Sequence, residues 1–178
     1  MTRTRSLQAA VELVGSEGLR ALTHGRVDEK AALPRGSTSN FFRSRQALLV
    51  GVVNHIVEQE LQMVQPIFHP GSPEELIDVL CGLIDFTTGP NRVPSTARIV
   101  LFMEASHDPA IREPVAKARA VMETSITGAL RHLGARQPQV GAAALMACAE
   151  GIILHRLAHH DATDARPIVS MVARSALA

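Results

Sequence analysis

Apolar residues recur along the chain at steps of three and four positions, which is the period of an amphipathic α-helix. In residues 3–17, for example, Leu7, Ala10, Val11 and Val14 share one helical face. No segment alternates apolar and polar residues with a period of two, and no Asn-Gly or Asp-Gly pair marks a hairpin turn. The pattern therefore predicts an all-α fold.

Residue types that start or end helices divide the N-terminal part of the chain into four helices. Gly18 is placed to end the first helix in a left-handed conformation, and Thr23 is a good N-cap for the second. Pro34 interrupts the second helix and suits the first turn of a third, short helix. The four helices are predicted at about residues 3–17, 23–32, 35–42 and 44–65.

The segment from Pro66 to Pro73, PIFHPGSP, is the clearest boundary in the chain. Beyond it the helical period continues and predicts a C-terminal helical bundle, which brings the total to about nine helices. Asp108 and Asp164 are placed as N-caps of two of these helices. The five helices are predicted at about residues 74–88, 94–107, 109–133, 139–159 and 165–177.

The stretch from Leu33 to Phe42, LPRGSTSNFF, has the composition of a helix that enters DNA. Two helices joined by a turn of three or four residues form a helix-turn-helix, whose second helix lies in the major groove. That helix needs small polar residues at its start, and Gly36 with the residues from Ser37 to Asn40 supplies them. Phe42 would anchor the helix in the core. A polar surface loop is the alternative for this stretch.

Charge is distributed unevenly along the chain. Residues 1–50 hold eight Lys/Arg and four Asp/Glu, a balance of +4, whereas residues 51–178 have a balance of −3. A basic N-terminal segment, residues 1–50, which we call the head, followed by a mildly acidic remainder suggests that the head alone binds a polyanion. An ordinary solvated surface gives the same balance.

A specific set of positions in the head occurs in a recognisable order. These positions are Ala10, Gly18, Leu22-Thr23, Val27, Ala31, Gly36, Phe41-Phe42, Ser44-Arg45 and Ala47 to Leu49. With this set, residues 7–50 resemble the N-terminal DNA-binding domain of TetR-family transcriptional regulators. The resemblance implies a repressor that binds double-stranded DNA at a palindromic operator as a homodimer and that a small-molecule effector releases. In four positions the chain departs from the family: Pro34 stands for Ser, Ser39 for Tyr, Asp28 for Ala and Ala32 for Gly.

The resemblance also implies which residues contact DNA. Thr23 and its neighbours would touch phosphates, residues 35–41 would face the groove, and Arg45 would hold a phosphate. The predicted DNA-binding residues are Thr23, His24, Gly25, Arg26, Arg35, Gly36, Ser37, Thr38, Ser39, Asn40, Phe41 and Arg45.

The predicted domains are a helix-turn-helix DNA-binding domain at residues 1–46 and a ligand-binding and dimerisation domain at residues 47–178. Residues 140–154 are apolar nearly all round, so they are expected to be buried on several faces, and residues 166–178 add an apolar stripe. Two such helices from each subunit would form a four-helix dimer interface, for which the predicted residues are Ile153, Leu157, Ile168, Met171 and Val172. A helix pair in a monomer core is the alternative.

An effector cavity in a helical bundle needs an apolar lining and a few orienting polar groups. Glu150 is the most informative candidate, since a lone carboxylate in an apolar run is costly unless it is paired. The predicted effector-binding residues are Met103, Glu104, His107, Met122, Ile126, Met146 and Glu150. Plain core packing for the methionines and a helix end for Glu104 and His107 are the alternatives.

Catalytic, metal and membrane chemistry is weakly indicated. His155 and His159 have metal-like spacing beside His160 and Asp161, but a solvated helix end is the favoured interpretation. No nucleotide or nucleophile motif occurs, so neither an enzyme nor a cofactor is predicted. Two isolated cysteines and the lack of an apolar run near 20 residues favour the cytoplasm and no membrane partner. The competing class is a helical ligand-binding or scaffolding protein without sequence-specific DNA binding.

Overall fold

A computed structural model describes residues 2–64, 69–159 and 163–178 of the chain. Across these residues all regular structure is helical, so the all-α prediction is confirmed, and the nine α-helices match the predicted number. They are α1 (Thr2–Glu17), α2 (His24–Lys30), α3 (Ser37–Phe41), α4 (Arg45–Val64), α5 (Pro73–Thr88), α6 (Arg92–Glu104), α7 (Pro109–His132), α8 (Pro138–His159) and α9 (Arg166–Leu177). A 3₁₀ turn at Leu19–Ala21, which the pattern did not predict, follows α1.

The residues at helix ends act largely as their chemistry predicts. Thr23 caps α2, because its side-chain oxygen accepts a hydrogen bond from Arg26 N at 3.3 Å. Asp108 Oδ1 accepts one from Ala110 N at 2.9 Å at the start of α7. Gly18 has the expected positive φ of 81°, but its ψ of 175° leads the chain into the 3₁₀ turn instead of a left-handed turn.

Several helices are shorter than the pattern predicted, among them the second, which was expected at 23–32 and is found at His24–Lys30. The one expected at 94–107 begins earlier, at Arg92, and stops at Glu104, after which the next three residues form a turn. The one expected at 35–42 covers only Ser37–Phe41. The predicted end of the fourth helix at residue 65, and the part of the boundary at 66–68, lie outside the described residues.

The chain forms two compact units, of which the first comprises Met1–Glu60 and Val93–Lys117. Its core is built from the apolar faces of α1, α2 and α4 together with buried residues between Ala97 and Ile111. Gly15 lets α1 come close to the start of α6, because a Cβ at this position would lie 2.1 Å from Val93 O.

The second unit comprises Leu61–Arg92 and Ala118–Ala178. Its core contains buried residues of α5, α7, α8 and α9, and α5, α8 and α9 pack against one another. Arg156 of α8 holds the end of α5 through a hydrogen bond to Asp85 Oδ1 at 2.6 Å. Arg92 in turn donates to Leu157 O, near the end of α8, at 2.8 Å.

The compact units divide the chain at different places from the predicted functional domains. Residues 2–46 share a core with most of α4 and with residues 93–117. Compactness is a different property from function, so a DNA-binding domain at 1–46 and a ligand-binding and dimerisation domain at 47–178 remain predictions.

Candidate nucleic-acid interface

The C-terminus of α2 is closed by a Schellman motif. Leu33 N donates to Asp28 O at 2.8 Å and Ala32 N donates to Glu29 O at 3.0 Å. Ala32 therefore takes the position that usually favours glycine, and its φ is +50°. Arg5 from α1 also binds this end, since its Nη2 donates to Ala31 O at 2.6 Å.

Gly36 is the N-cap of α3 and has a left-handed conformation, with φ +89° and ψ −6°. Glycine adopts this conformation without the steric cost that a Cβ brings. Ser37 N donates to Pro34 O at 3.1 Å, which closes the turn between α2 and α3. Pro34 thus lies in the turn, three residues before the helix whose first turn it was expected to occupy.

Asp28 of α2 supplies the cap that α3 lacks. Its side chain is 2% exposed, its Oδ2 accepts from Gly36 N at 2.8 Å, and its Oδ1 accepts from both Thr38 N at 2.8 Å and Thr38 Oγ1 at 2.5 Å. Burial by itself would raise the pKa of Asp28, but the hydrogen bonds from Thr38 and Gly36 outweigh it and the pKa lies below its ordinary value. The carboxylate is therefore ionised at neutral pH.

The surface around the start of α3 is polar and open. Arg35, Gly36, Asn40 and Phe41 are exposed, with Phe41 at 47%. Ser37 and Ser39 are half-buried, and Ser39 Oγ donates back to Gly36 O at 2.8 Å. These side chains and the backbone of Gly36 form one small-residue surface, which we call the α3 surface.

Thr38 requires a correction to the predicted DNA-binding residues. Its side chain is fully buried and its hydroxyl lies 3.4 Å from that of Ser6 on α1 in addition to its bond with Asp28. A side chain in this position cannot reach a base edge while α3 stays folded. Thr38 belongs to the support of the α3 surface.

Phe42 anchors the C-terminal end of α3, as predicted. Its ring is buried in the core of the first unit, where a Cβ on Gly51 of α4 would lie 2.5 Å from it, and the Arg3 guanidinium of α1 stands 5.4 Å from its centre. His24 secures the same end, because its Nε2 lies 2.6 Å from Phe42 O. A carbonyl oxygen only accepts, so Nε2 carries the proton in this bond.

The basic residues of the head fall into two groups. Arg26 is paired with Glu17 at 2.6 Å, and Arg45 donates to Leu19 O and Leu22 O, so both have structural partners. Arg35 and Arg43 are exposed and have no hydrogen bond or ion pair within the described residues. Thr23 and Gly25 are exposed at the start of α2.

Comparison with known proteins identifies the family. A family profile described as the tetracyclin repressor-like C-terminal domain matches residues 71–178, which is more than half of the chain. The chain belongs to the TetR family. TetR-family transcriptional regulators are DNA-binding proteins and not enzymes. None of the curated proteins is a significant sequence match.

Solved structures show the same TetR fold over nearly the whole chain. A transcriptional regulator from Rhodococcus sp. Rha1 has a TM-score of 0.86 at 15% identity, with 99% of this chain and 96% of that one covered. A TetR-family member from Streptomyces coelicolor A3 has a TM-score of 0.74 at 26% identity, with 96% and 97% covered. The multidrug binding protein EbrR, complexed with ethidium, has a TM-score of 0.75 at 25% identity, with 96% and 97% covered.

The predicted effector residues of this TetR-family chain are distributed over both units. Met103, Glu104 and His107 belong to the first unit, where Met103 is 68% exposed and His107 is exposed. The other four belong to the second unit, in which Ile126 and Met146 are packed into the core and Met122 packs against it. Their role in effector binding remains a prediction.

Glu150 is paired within its own chain. Arg119 Nη1 of α7 lies 3.3 Å from Glu150 Oε2, and both side chains are partly exposed. An ion pair of this kind contributes at most about 1 kcal/mol, because solvent screens it. The pairing accounts for a carboxylate in an apolar helix and leaves it accessible to a competing cation.

The second unit also contains a depression of about 380 Å³ that holds none of the predicted effector residues. Its lining is polar as well as apolar, and two histidines, His69 and His132, stand with the hydroxyl residues Thr124 and Ser125. Both hydroxyls donate to carbonyls of α7 itself, Thr124 Oγ1 to Ala120 O and Ser125 Oγ to Val121 O. No spacing in the sequence pointed to this depression, because its residues come from distant segments.

The predicted dimer residues differ in exposure. Ile153 is buried in the core of its own unit, and Leu157 and Val172 pack against that core. Ile168 and Met171 of α9 are exposed, Met171 at 65%. Of the five predicted dimer residues, only these two are exposed.

The histidines and cysteines of the described residues form no metal-binding cluster. No group of three or more His, Cys, Asp or Glu side chains there is arranged to hold a metal ion, and the rings of His155 and His159 pack 5.3 Å apart. Cys81 is buried and Cys148 half-buried, and burial raises the pKa of both thiols. His160 and Asp161 lie outside the described residues.

Proposed function

We propose that the chain is a cytoplasmic transcriptional repressor that binds a palindromic operator as a homodimer and leaves it when a small molecule binds. The observation that carries the proposal is the α3 surface, a short polar helix start that is exposed to solvent while its two ends are fixed. Asp28 fixes the start of α3, and Phe42 with His24 fixes its end. Such a surface suits a major-groove probe, which must be small and rigid.

The α3 surface offers two kinds of DNA contact. Asn40, Phe41 and Arg35 have the exposure and chemistry to reach base edges, the phenylalanine by contact with a thymine methyl. Arg43 is exposed and without a partner in the described chain, so we assign it to a phosphate. Thr23 and Gly25, at the start of α2, are proposed to contact the backbone as well.

Duplex binding tests the DNA-binding part of the proposal. Footprinting on DNA that flanks the protein's own coding region would supply an operator, and binding to it would then be compared with binding to an unrelated duplex over a salt series. We expect a strong preference for the operator and a steep loss of affinity with salt. Equal affinity for all duplexes would favour the helical ligand-binding or scaffolding protein instead.

A matched pair of substitutions separates base contacts from phosphate contacts. Asn40→Ala should weaken operator binding about tenfold or more and leave unrelated duplexes unaffected, since one base contact is worth about 1–3 kcal/mol. Arg43→Ala should weaken binding to every duplex and reduce the salt slope by about one. If Asn40→Ala lowered both affinities equally, the assignment of the α3 surface to base recognition would be wrong.

The apolar surface of α8 and α9 supports a dimer. α8 is long and apolar enough to cross a membrane by composition alone, yet only 28% of its most apolar stretch is buried. Val140, Ala144, Ala147 and Leu154 are exposed at steps that place them on one helical side, and Met171 of α9 adds to the exposed apolar surface. We propose that a second copy of the chain covers this surface, because several exposed apolar residues on one side of a helix are typical of association sites.

Sedimentation of the purified protein tests the dimer. The wild type should sediment as a dimer, and Ala147→Glu should produce monomers, because the new carboxylate would be buried without a partner. Met171→Leu is the matched control and should remain dimeric. Monomers in the wild type at micromolar concentration would refute the dimer, and dimers in Ala147→Glu would place the interface elsewhere.

We further propose that the effector is a small organic cation that competes with Arg119 for Glu150. EbrR, with the same fold, is known in complex with ethidium, which is a cation. In this chain Glu150 is half-buried and lies within the apolar stretch of α8 at residues 140–154, and a carboxylate among apolar side chains suits an aromatic cation. Ligand binding would favour a conformation with lower operator affinity. We propose that α4, which follows the helix-turn-helix directly in the chain, transmits this change to the α3 surface.

Ethidium is a suitable probe, since its fluorescence rises when it enters an apolar site. We expect saturable binding that Glu150→Gln weakens by up to about fivefold, since a charge pair in a partly exposed site contributes at most about 1 kcal/mol, and release of the operator by bound ethidium. Glu123→Gln on α7 is the charge-matched control. Saturable binding without any change in operator affinity would refute the coupling.

A further inference from the structure

Asp28 is the only described residue whose side chain caps α3, and the helix is short enough for that to matter. An α-helix leaves its first N–H groups without intrahelical partners, and a helix of five residues consists almost entirely of its ends. Gly36 at the N-cap has no side chain to accept from them. The carboxylate of Asp28 accepts from two of these N–H groups and from the Thr38 hydroxyl.

The three hydrogen bonds to Asp28 stabilise α3 and also fix its position and orientation relative to α2. They join a side chain of α2 to the backbone at two positions of the next helix, one of them at Gly36 on the exposed α3 surface. Because both carboxylate oxygens are engaged, α3 can neither rotate about its axis nor slide along it without breaking a bond to a buried charge. The direction of the exposed side chains is thereby tied to Asp28.

We infer that Asp28 is a positioning residue for operator recognition, whose buried carboxylate sets the orientation of the α3 surface and hence its discrimination between base sequences. The inference rests on the proposed function. Asp28 is itself buried, so its side chain would act through α3 and not by contact with DNA. Contacts to base edges require placement within about 0.5 Å, whereas long arginine side chains find phosphates from many positions. Loss of Asp28 should therefore reduce specificity much more than general DNA affinity.

The test compares Asp28→Asn with Glu29→Gln, a control that removes the same charge from the next position of the same helix, where the side chain is exposed. Each protein is measured against the operator and against an unrelated duplex at one salt concentration. For Asp28→Asn we expect the ratio of the two affinities to fall about tenfold or more, the scale of one base contact, while affinity for the unrelated duplex changes less than about twofold. Glu29→Gln should leave the ratio unchanged.

The affinity ratio also separates positioning from simple destabilisation. A variant that is partly unfolded loses binding-competent protein for both duplexes by the same factor, so the ratio is unaffected. Thr38→Val provides a second variant, because it removes one of the three donors and keeps the shape of the side chain. Thr38→Val should also lower the ratio of operator affinity to affinity for the unrelated duplex. The double variant with Asp28→Asn should show less than the product of the two single effects, since both substitutions affect the hydrogen bond between the Thr38 hydroxyl and the Asp28 carboxylate.

Two results would overturn the inference. If Asp28→Asn and Thr38→Val weaken both duplexes by equal factors, Asp28 stabilises the head and does nothing for specificity. If the double variant shows the full product of the single effects, Asp28 does not act through Thr38. A wild type that prefers no duplex over another is a different outcome, because it removes the proposed function itself.

Discussion

Substitution of Ala32 by glycine should have two opposing effects on the free energy of unfolding, and their magnitudes can be compared. Ala32 occupies the left-handed C′ position of the Schellman motif at the end of α2, with φ +50°, and its side chain is exposed. Substitution by glycine relieves a steric strain of about 1–2 kcal/mol. The same substitution raises the conformational entropy of the unfolded chain, which lowers the free energy of unfolding by about 0.4–1 kcal/mol. The native-state term is larger, so we expect Ala32→Gly to stabilise the protein by about 0.5–1 kcal/mol.

Gly134 allows the reciprocal experiment. It ends α7 in the same motif, with Ala135 N donating to Leu130 O at 2.9 Å and Gly134 N to Arg131 O at 3.1 Å, and its φ is +87°. A Cβ there would meet nothing within 4 Å, so Gly134→Ala tests backbone strain alone. We expect it to destabilise by a similar amount.

Urea unfolding of both variants and the wild type, at one protein concentration because of the proposed dimer, measures these differences. In thermal unfolding a change of 1 kcal/mol corresponds to about 2–4 °C for a chain of this size. Loss of stability in Ala32→Gly, together with no loss in Gly134→Ala, would show that left-handed strain does not govern these helix ends.

Three further predictions concern the head and one helix of the second unit. The free energy of unfolding of the wild type should exceed that of Asp28→Asn by a constant amount at neutral pH, and this difference should shrink as the pH falls below 3.8, the ordinary pKa of an aspartate. The reason is that the pKa of Asp28 in the folded protein is lower than this value, so protonation of its carboxylate removes the stabilisation. A difference that is unchanged at pH 2 would contradict the prediction. Gly51→Ala should destabilise by about 1–3 kcal/mol in urea unfolding, since its Cβ would lie 2.5 Å from the Phe42 ring, whereas Gly82→Ala, with open space, should stabilise by up to about 1 kcal/mol. Arg45→Lys should cost about 1 kcal/mol of stability, one hydrogen bond to the 3₁₀ turn, and leave the salt slope of DNA binding unchanged.

The helices were predictable from the sequence because each must bury one face, and burial imposes a period of three to four residues. Boundaries set by side-chain capping were also predictable, as Thr23 and Asp108 show. The 3₁₀ turn at Leu19–Ala21 was not predictable, because it follows from the extended ψ of Gly18 and carries a hydrogen bond to Leu19 O from the Arg45 guanidinium, which lies far along the chain.

The α3 surface was predicted as a stretch but not as a structure. Composition pointed to residues 35–41, yet it treated Thr38 as equivalent to Ser37 and Ser39. The difference arises from Asp28, ten positions earlier, whose carboxylate draws the Thr38 hydroxyl inward. A departure from the family pattern at Asp28 was visible in the sequence, but only three-dimensional contact shows that it has a buried partner.

The shared core of the first unit limits how the DNA-binding part can be transplanted. A fragment ending at residue 46 would leave behind Leu48, Val52 and Ile56 of α4 and Leu101 of α6, all buried in the core that α1 and α2 share with them. Residues 1–46 are therefore not expected to fold when they are separated from the rest of the first unit. A chimera that grafts a new operator preference onto this chain should exchange side chains on the α3 surface and keep the scaffold to residue 117 intact.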